Sequence, residues 1–295
     1  MKIVVTGGAG FVGKPVLKLL LQNGHEVLAL SRQPQAPMEL SKNPSLRWHA
    51  CDLTHLDSWH LVVRDFAPEK CLHLAWDGLP DYGLEQSLKN LVMGAQLVDY
   101  LVRACCCHFV ISGSCWEYGK VSGAVCEGIA PVCPDIFASS KNALREVTEA
   151  LCRTAGASLA WGRIFYSFGP GQRDTSLLST ICRGIAEGKT PSLKTPDVAH
   201  DFLYIDDTAE ALTLLLEKKS QGIYNIGSGI PTNVGQLADM LLRLAGKEPF
   251  YGQRKACPLQ GFWADTTKIN HLGWKPRISL EEGVRRTREF FLPTC

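Results

Sequence analysis

The chain lacks most of the features that mark specialised protein classes. Its 31 Lys and Arg against 29 Asp and Glu leave a net charge of +2, too little to build a nucleic-acid groove or to hold an anionic membrane surface. No apolar run reaches the roughly 18 residues that a membrane helix needs. No block of like charge and no low-complexity stretch occurs. Twelve cysteines are present, but none forms Cys-x-x-Cys and three are consecutive, Cys105-Cys106-Cys107. That spacing suits neither a zinc site nor a disulfide framework, so no metal is expected. The opening residues read as a strand rather than a leader peptide. Cysteines used as small buried apolar residues then point to the reducing cytoplasm. What is present is 295 residues at 45% hydrophobic content, enough for one large or two small domains.

The most informative stretch is Thr6-Gly7-Gly8-Ala9-Gly10-Phe11-Val12-Gly13. Residues 2–5 are a β-branched, apolar run that reads as a buried strand. Residues 11–22 repeat Val12, Val16, Leu19 and Leu20 at helical spacing, with Gly24 as a stop. Strand, glycine turn and helix in this order bind a dinucleotide pyrophosphate. Gly7 or Gly8 makes the turn, Gly10 lets the backbone approach the phosphates, and Gly13 lets the helix pack on the sheet. Helix N–H groups, with Phe11 and Val12 beside them, then face the anion.

Further along, strands are expected at 26–30, 46–49, 70–75, 108–112 and 158–165, alternating with helices that include 85–104 and 136–154. This alternation is that of a Rossmann-type, doubly wound parallel α/β sheet. The second strand ends in Ser31 and Arg32 where an NAD enzyme carries a carboxylate. A hydroxyl and a guanidinium suit a 2′-phosphate, so the expected cofactor is NADP(H), with NAD as the alternative. Asp52, followed by Leu53, either accepts from the adenine amine or caps a helix starting near Thr54. Leu74, Ala75 and Trp76 lie at a strand's carboxyl end, where open sheets bind ligands. Beyond Gly169 the pattern loosens. We expect residues 1–167 to bind the dinucleotide, with about 198–220 returning to them, and 168–295 to form mainly a smaller substrate-binding lobe.

An ordered set of motifs resembles the extended short-chain dehydrogenase/reductases of the NAD-dependent epimerase/dehydratase kind, which act mainly on nucleotide sugars. The set comprises Thr6-Gly7-x-x-Gly10-x-x-Gly13, Asp52-Leu53, Ser112-Gly113-Ser114 before Tyr118-Gly119, and Phe165-x-x-Phe168-Gly169-Pro170-Gly171-Gln172. It continues through Asp201-Phe202-x-Tyr204-x-Asp206-Asp207, Tyr224-Asn225-Ile226-Gly227-Ser228-Gly229, Asp265-Thr266-x-Lys268 and Leu272-Gly273-Trp274-x-Pro276. The resemblance implies a cofactor in the first lobe, in contact also with Phe165, and a sugar nucleotide in the second. It also implies a homodimer formed through the helices at 85–104 and 136–154.

It implies catalysis by Tyr-x-x-x-Lys with a Ser or Thr: the phenol moves the hydroxyl proton, the lysine lowers the phenol pKa and binds the cofactor ribose, and the hydroxyl holds the substrate oxygen. Ser114 and Lys141 match. The tyrosine position is Phe137, which has no ionisable proton. Three readings of it stand open: an engineered Tyr→Phe change, a natural variant using another donor such as Ser114, Tyr118, Tyr166 or water, or a non-catalytic NADP-binding regulator. Two other departures are Tyr166, where the family often has Asn, and His200, where it often has Arg. Arg173 and Arg254 are candidate diphosphate clamps. Trp116 and Trp76 are candidates to stack on sugar or nicotinamide. The expected activity is reduction of a 4-keto-6-deoxy sugar nucleotide, with a nucleotide-sugar epimerase holding its NAD(P) tightly as the alternative.

Overall fold

The computed structural model describes residues 1–133, 135–252 and 260–292. These residues fall into two compact units, built from Met1–Lys120, Ala130–Arg163 and Ala209–Tyr224, and from Val121–Ile129, Ile164–Thr208 and the described residues from Asn225 onward.

The first unit carries β1 (Lys2–Thr6), α1 (Gly13–Gln22), β2 (Glu26–Ser31), β3 (Leu46–Ala50), α2 (His60–Phe66), β4 (Lys70–His73), α3 (Leu84–Arg103) and β5 (His108–Ser114). After the excursion of β6 (Gly123–Val125) come α4 (Ile136–Ala155) and β7 (Ser158–Ile164). The seven-stranded sheet runs β3-β2-β1-β4-β5-β7 and ends on β10 (Gly222–Ile226). The β1–β2, β1–β4, β2–β3 and β4–β5 ladders are parallel. The strand order reverses between β1 and β4, and a doubly wound sheet opens its ligand crevice at the carboxyl ends of those strands. Both faces of the sheet are covered, which is why β1 and β4 read as near-continuous apolar runs rather than alternating ones. The core on one face gathers Trp59, Phe109, Leu97, Leu101 and Trp161, each 1% exposed or less. Each such side chain contributes roughly 1.5–3 kcal/mol by leaving water.

Two buried polar residues bind the end of a returning helix. That helix, Ile205–Glu217, finishes with its Leu216 and Leu215 carbonyls accepting from Lys70 Nζ at 2.6 Å and facing His108 Nε2 at 3.2 Å. Cationic or donor side chains suit the negative end of a helix.

The second unit carries β8 (Tyr166–Phe168), α5 (Leu177–Ala186), β9 (Val198–Tyr204), β11 (Pro231–Asn233), α7 (Val234–Leu244), β12 (Gln260–Ala264), α8 (Thr267–Asn270) and α9 (Leu280–Phe291). The helix at 205–217, between β9 and β10, is α6. The second sheet runs β11-β9-β12-β6, with β8 pairing β9. Most of these strands are three to five residues long, too short to show a period of two. No helix among the described residues is long and apolar enough to cross a membrane. Ten described cysteines carry free thiols, and six of them are buried.

Candidate active site

The glycine loop has the geometry a pyrophosphate needs. Gly7 sits at φ +73°, and a Cβ there would lie 2.8 Å from the Ala75 nitrogen. A Cβ on Gly13 would run into the Gly7 carbonyl. The Gly10 N–H donates to that carbonyl at 2.9 Å, closing the turn. Helix α1 then begins with Val12 as its N-cap, with no side-chain cap and no acidic residue in the first turn. Its N–H groups and its positive end are therefore offered to an anion rather than to the protein's own carboxylate. Phe11 and Val12 are half-buried on this loop. The chain's residues thus fit a dinucleotide: backbone at Gly7, Gly10, Phe11 and Val12 would hold it, with β1 and β4 tied together beneath by Thr6 Oγ1 and His73 Nδ1 at 2.7 Å. Burial, with a smaller push from the Lys141 charge, lowers His73 to about 3, so it is neutral.

At the expected ribose end, Ser31 is buried and its Oγ accepts from the Gln33 N–H at 3.1 Å. Arg32 lies 2.6 Å from Asp77, which Lys89 also holds at 3.1 Å. Burial works to raise the Asp77 carboxyl, but the Lys89 hydrogen bond and the two cations outweigh it and leave it below the usual range. The guanidinium assigned from sequence to a 2′-phosphate thus holds a carboxylate of its own chain. Asp52 Oδ1 accepts from Thr54 N at 2.9 Å and Thr54 Oγ1 at 2.8 Å, closing a local turn. The following helix starts at His60 rather than near Thr54, after a short 3₁₀ turn at Leu56–Ser58. Leu53 is buried in the core, while Leu74, Ala75 and Trp76 remain half-buried after β4.

Ser114 ends β5. Its N–H donates to Glu117 Oε1 at 2.7 Å and its Oγ accepts from Trp116 N at 3.2 Å, a reciprocal capping box. Lys141 lies on α4, one turn beyond Phe137, and is 5% exposed. Its Nζ donates to the Ser112 carbonyl at 2.8 Å and sits 4.0 Å from the centre of the Trp76 ring. Burial pulls its ammonium down to about 8, against an opposing pull from the Glu117 charge.

Phe137 is 6% exposed. Its ring meets Trp76 at 5.4 Å, Tyr82 at 5.1 Å and Trp116 at 5.9 Å. Tyr82 and Trp116 are themselves 5.1 Å apart. The sequence reading singled out Trp76 and Trp116 but missed Tyr82. The available signal was its place in the loop after β4, at the carboxyl edge of the sheet. Tyr118, by contrast, is sealed with 0% exposure, and the Arg163 guanidinium lies 4.3 Å over its ring. That removes it as a candidate proton donor to substrate.

In the second unit, Tyr166 and His200 pack ring against ring at 4.2 Å and line a cavity of about 430 Å³ with Gln172, Leu193, Lys194 and Val234. Burial lowers the His200 imidazole, favouring its neutral form. Arg173 is exposed on the loop after β8. Phe165 is buried, with its N–H donated to the Ile226 carbonyl at 2.9 Å and its ring 5.9 Å from Phe262. Arg254 lies outside the described residues.

A parallel doubly wound sheet, an uncapped glycine-loop helix and a buried lysine one turn after an aromatic define a dinucleotide-binding α/β protein. A family model described as the NAD dependent epimerase/dehydratase family matches residues 3–227, and the chain belongs to that family. It is 26% identical to a UDP-glucuronate 4-epimerase of Thermodesulfobacterium geofontis, over 96% of this chain and 94% of the relative. It is 25% identical to a dTDP-L-rhamnose 4-epimerase of Burkholderia thailandensis, over 96% and 93%. Among solved structures, a UDP-glucose 4-epimerase of Thermotoga maritima with UDP-glucose superposes with a TM-score of 0.85 at 25% identity, covering 99% and 98% of the two chains.

Proposed function

We propose that this chain is a nucleotide-sugar 4-epimerase that uses a tightly held nicotinamide dinucleotide. When bound, the dinucleotide would take a hydride from a sugar carbon and return it. The observation that carries this reading is the buried Lys141, held on Ser112 and Trp76 at the carboxyl edge of the sheet. Around it, the glycine loop would hold the pyrophosphate and Ser114 the substrate oxygen. The epimerase reading is favoured over a net reductase for two reasons. The relatives include 4-epimerases of UDP- and dTDP-sugars, and the one hint of a freely exchanging NADPH, Arg32, is paired with Asp77. NAD is the cofactor favoured on the same grounds.

A second reading, a binding protein without catalysis, is favoured by Phe137, which lacks the family's phenol. We also infer a cytoplasmic homodimer. Leu88, Val92 and Val147 on α3 and α4 are each more than 40% exposed, and a second copy would cover them.

The test is incubation of the purified chain and NAD with UDP-glucuronic acid, UDP-glucose and dTDP-glucose, followed by NMR. Accumulation of the C4 epimer without net NADH supports the epimerase. Stoichiometric consumption of NAD(P)H with keto-sugar substrates supports the reductase instead. Binding without turnover, in this chain and in Phe137→Tyr alike, supports the binding protein.

A further inference from the structure

Phe137, one helical turn before Lys141, is enclosed by three more aromatic side chains, and only one of the four carries an acidic proton. Phe137 has none. The indoles of Trp76 and Trp116 have N–H donors that do not ionise in water. Tyr82 has a phenol. Its ring stands edge-on to Phe137, at 5.1 Å and 74°, and leans on Trp116 at 5.1 Å. It is half-buried rather than sealed, so a substrate has access to it. It lies in the loop between β4 and α3, the same loop that carries Trp76, over whose ring Lys141 Nζ sits. Tyr82, Phe137, Trp76 and Lys141 therefore form one contiguous cluster within a single compact unit.

The other hydroxyls are placed differently. Tyr118 is sealed under Arg163. Tyr166 belongs to the second unit and packs on His200. Ser114 stays close to the cluster, but an aliphatic hydroxyl is a far weaker acid than a phenol and needs a separate base to act.

We propose that Tyr82 is the general acid–base of this site, the proton-carrying group moved from helix α4 to the β4–α3 loop. The proposal rests on the nucleotide-sugar reading given above. In the oxidising direction the sugar C–H bond breaks with its electron pair passing to a nicotinamide dinucleotide. The hydroxyl proton passes to the deprotonated Tyr82 oxygen, and a C=O bond forms. In the reducing direction the Tyr82 O–H bond breaks and returns the proton to the carbonyl oxygen as hydride comes back to carbon. Charge and electrons balance in each half. Lys141, held over Trp76, keeps the place it has one turn along α4 from Phe137.

Four proteins test this: the unaltered chain, Tyr82→Phe, Phe137→Tyr and the double variant. Each is loaded with NAD and given UDP-glucuronic acid, UDP-glucose and dTDP-glucose. Turnover is followed by NMR. Sugar-nucleotide binding is followed separately, by quenching of the fluorescence of Trp76 and Trp116. The expected result is that Tyr82→Phe loses on the order of 10²–10⁴ in kcat with unchanged binding, and that Phe137→Tyr restores turnover in the Tyr82→Phe background. Rescue by a phenol at the other position is something a merely structural Tyr82 would not show. Unchanged kcat in Tyr82→Phe overturns the proposal and leaves the epimerase reading intact. So does an inert unaltered chain that Phe137→Tyr alone brings to life. A chain that binds none of the three sugar nucleotides overturns both.

Discussion

Glu117 and Arg163 form an ion pair at 2.8 Å in which both side chains are wholly excluded from water. The same carboxylate accepts from the Ser114 N–H and from Trp161 Nε1. It therefore anchors the end of β5 to β7 directly beneath the Ser114 hydroxyl. Breaking a buried pair leaves a bare charge, which costs more than the pair contributes. Glu117→Ala is expected to lower stability by about 3–5 kcal/mol, read from the urea midpoint. The double change Glu117→Leu with Arg163→Met is expected to lose much less, because no charge is stranded.

Lys141 destabilises the fold it serves. Its folded pKa of about 8 lies below the ordinary 10.5, so between these values the unfolded chain binds the extra proton. Stability from this group is therefore lowest below about pH 8 and rises as pH climbs towards 10.5. Lys141→Met is expected to stabilise the protein by about 1–3 kcal/mol at pH 7, with the gain shrinking by pH 10. Denaturant melts at the two pH values measure it. A gain that does not depend on pH would contradict the assignment.

Gly13→Ala is expected to abolish NAD binding while leaving the second unit folded, since the new methyl would press on the Gly7 carbonyl and the Gly8 Cα, both in the glycine loop. Quenching of tryptophan fluorescence by NAD reports the loss. Retained affinity would mean that the dinucleotide lies elsewhere.

Asp77 holds Arg32 and Lys89 together. Asp77→Asn is expected to free the guanidinium for a 2′-phosphate and to raise the affinity for NADP relative to NAD by about tenfold, the worth of one charge-assisted hydrogen bond. Isothermal titration with both cofactors gives the ratio.

Asp201 is buried and accepts from Ser228 N and Oγ, both at 2.6 Å, from Gly229 N at 2.9 Å and from Ala264 N at 3.0 Å. Burial raises its carboxyl despite these donors. Asp201→Asn turns an NH₂ against backbone N–H groups and is expected to cost about 2–4 kcal/mol, seen as a lower thermal midpoint of the second unit.

Much of the first unit was legible because its signals are local. Gly7, Gly10 and Gly13 lie within seven residues of one another, and Phe137 and Lys141 share one helix turn. The seven-stranded sheet follows from strands long enough to show their apolar runs. What stayed hidden depends on residues far apart in the chain. Arg32 reads as a phosphate ligand until Asp77, 45 positions away, is seen beside it. Tyr82 becomes notable only when the loop after β4 folds onto α4. Glu117 carries no local signal of its role, which appears only when β7 delivers Arg163 and Trp161 to it. The shortest strands of the small sheet were unreadable for a different reason, since a three-residue strand such as β6 carries no period.

That small strand governs the order in which the chain can be completed. Residues Gly123, Ala124 and Val125 pair with Phe262, Trp263 and Ala264, closing a loop of about 140 residues at a cost in chain entropy. During synthesis the edge formed by 123–125 therefore waits, unpaired, until residues 262–264 have left the ribosome, while β1 to β5 already possess all of one another. The first unit has its nucleus early, and the second is a late joiner whose exposed edges are the natural targets for a chaperone.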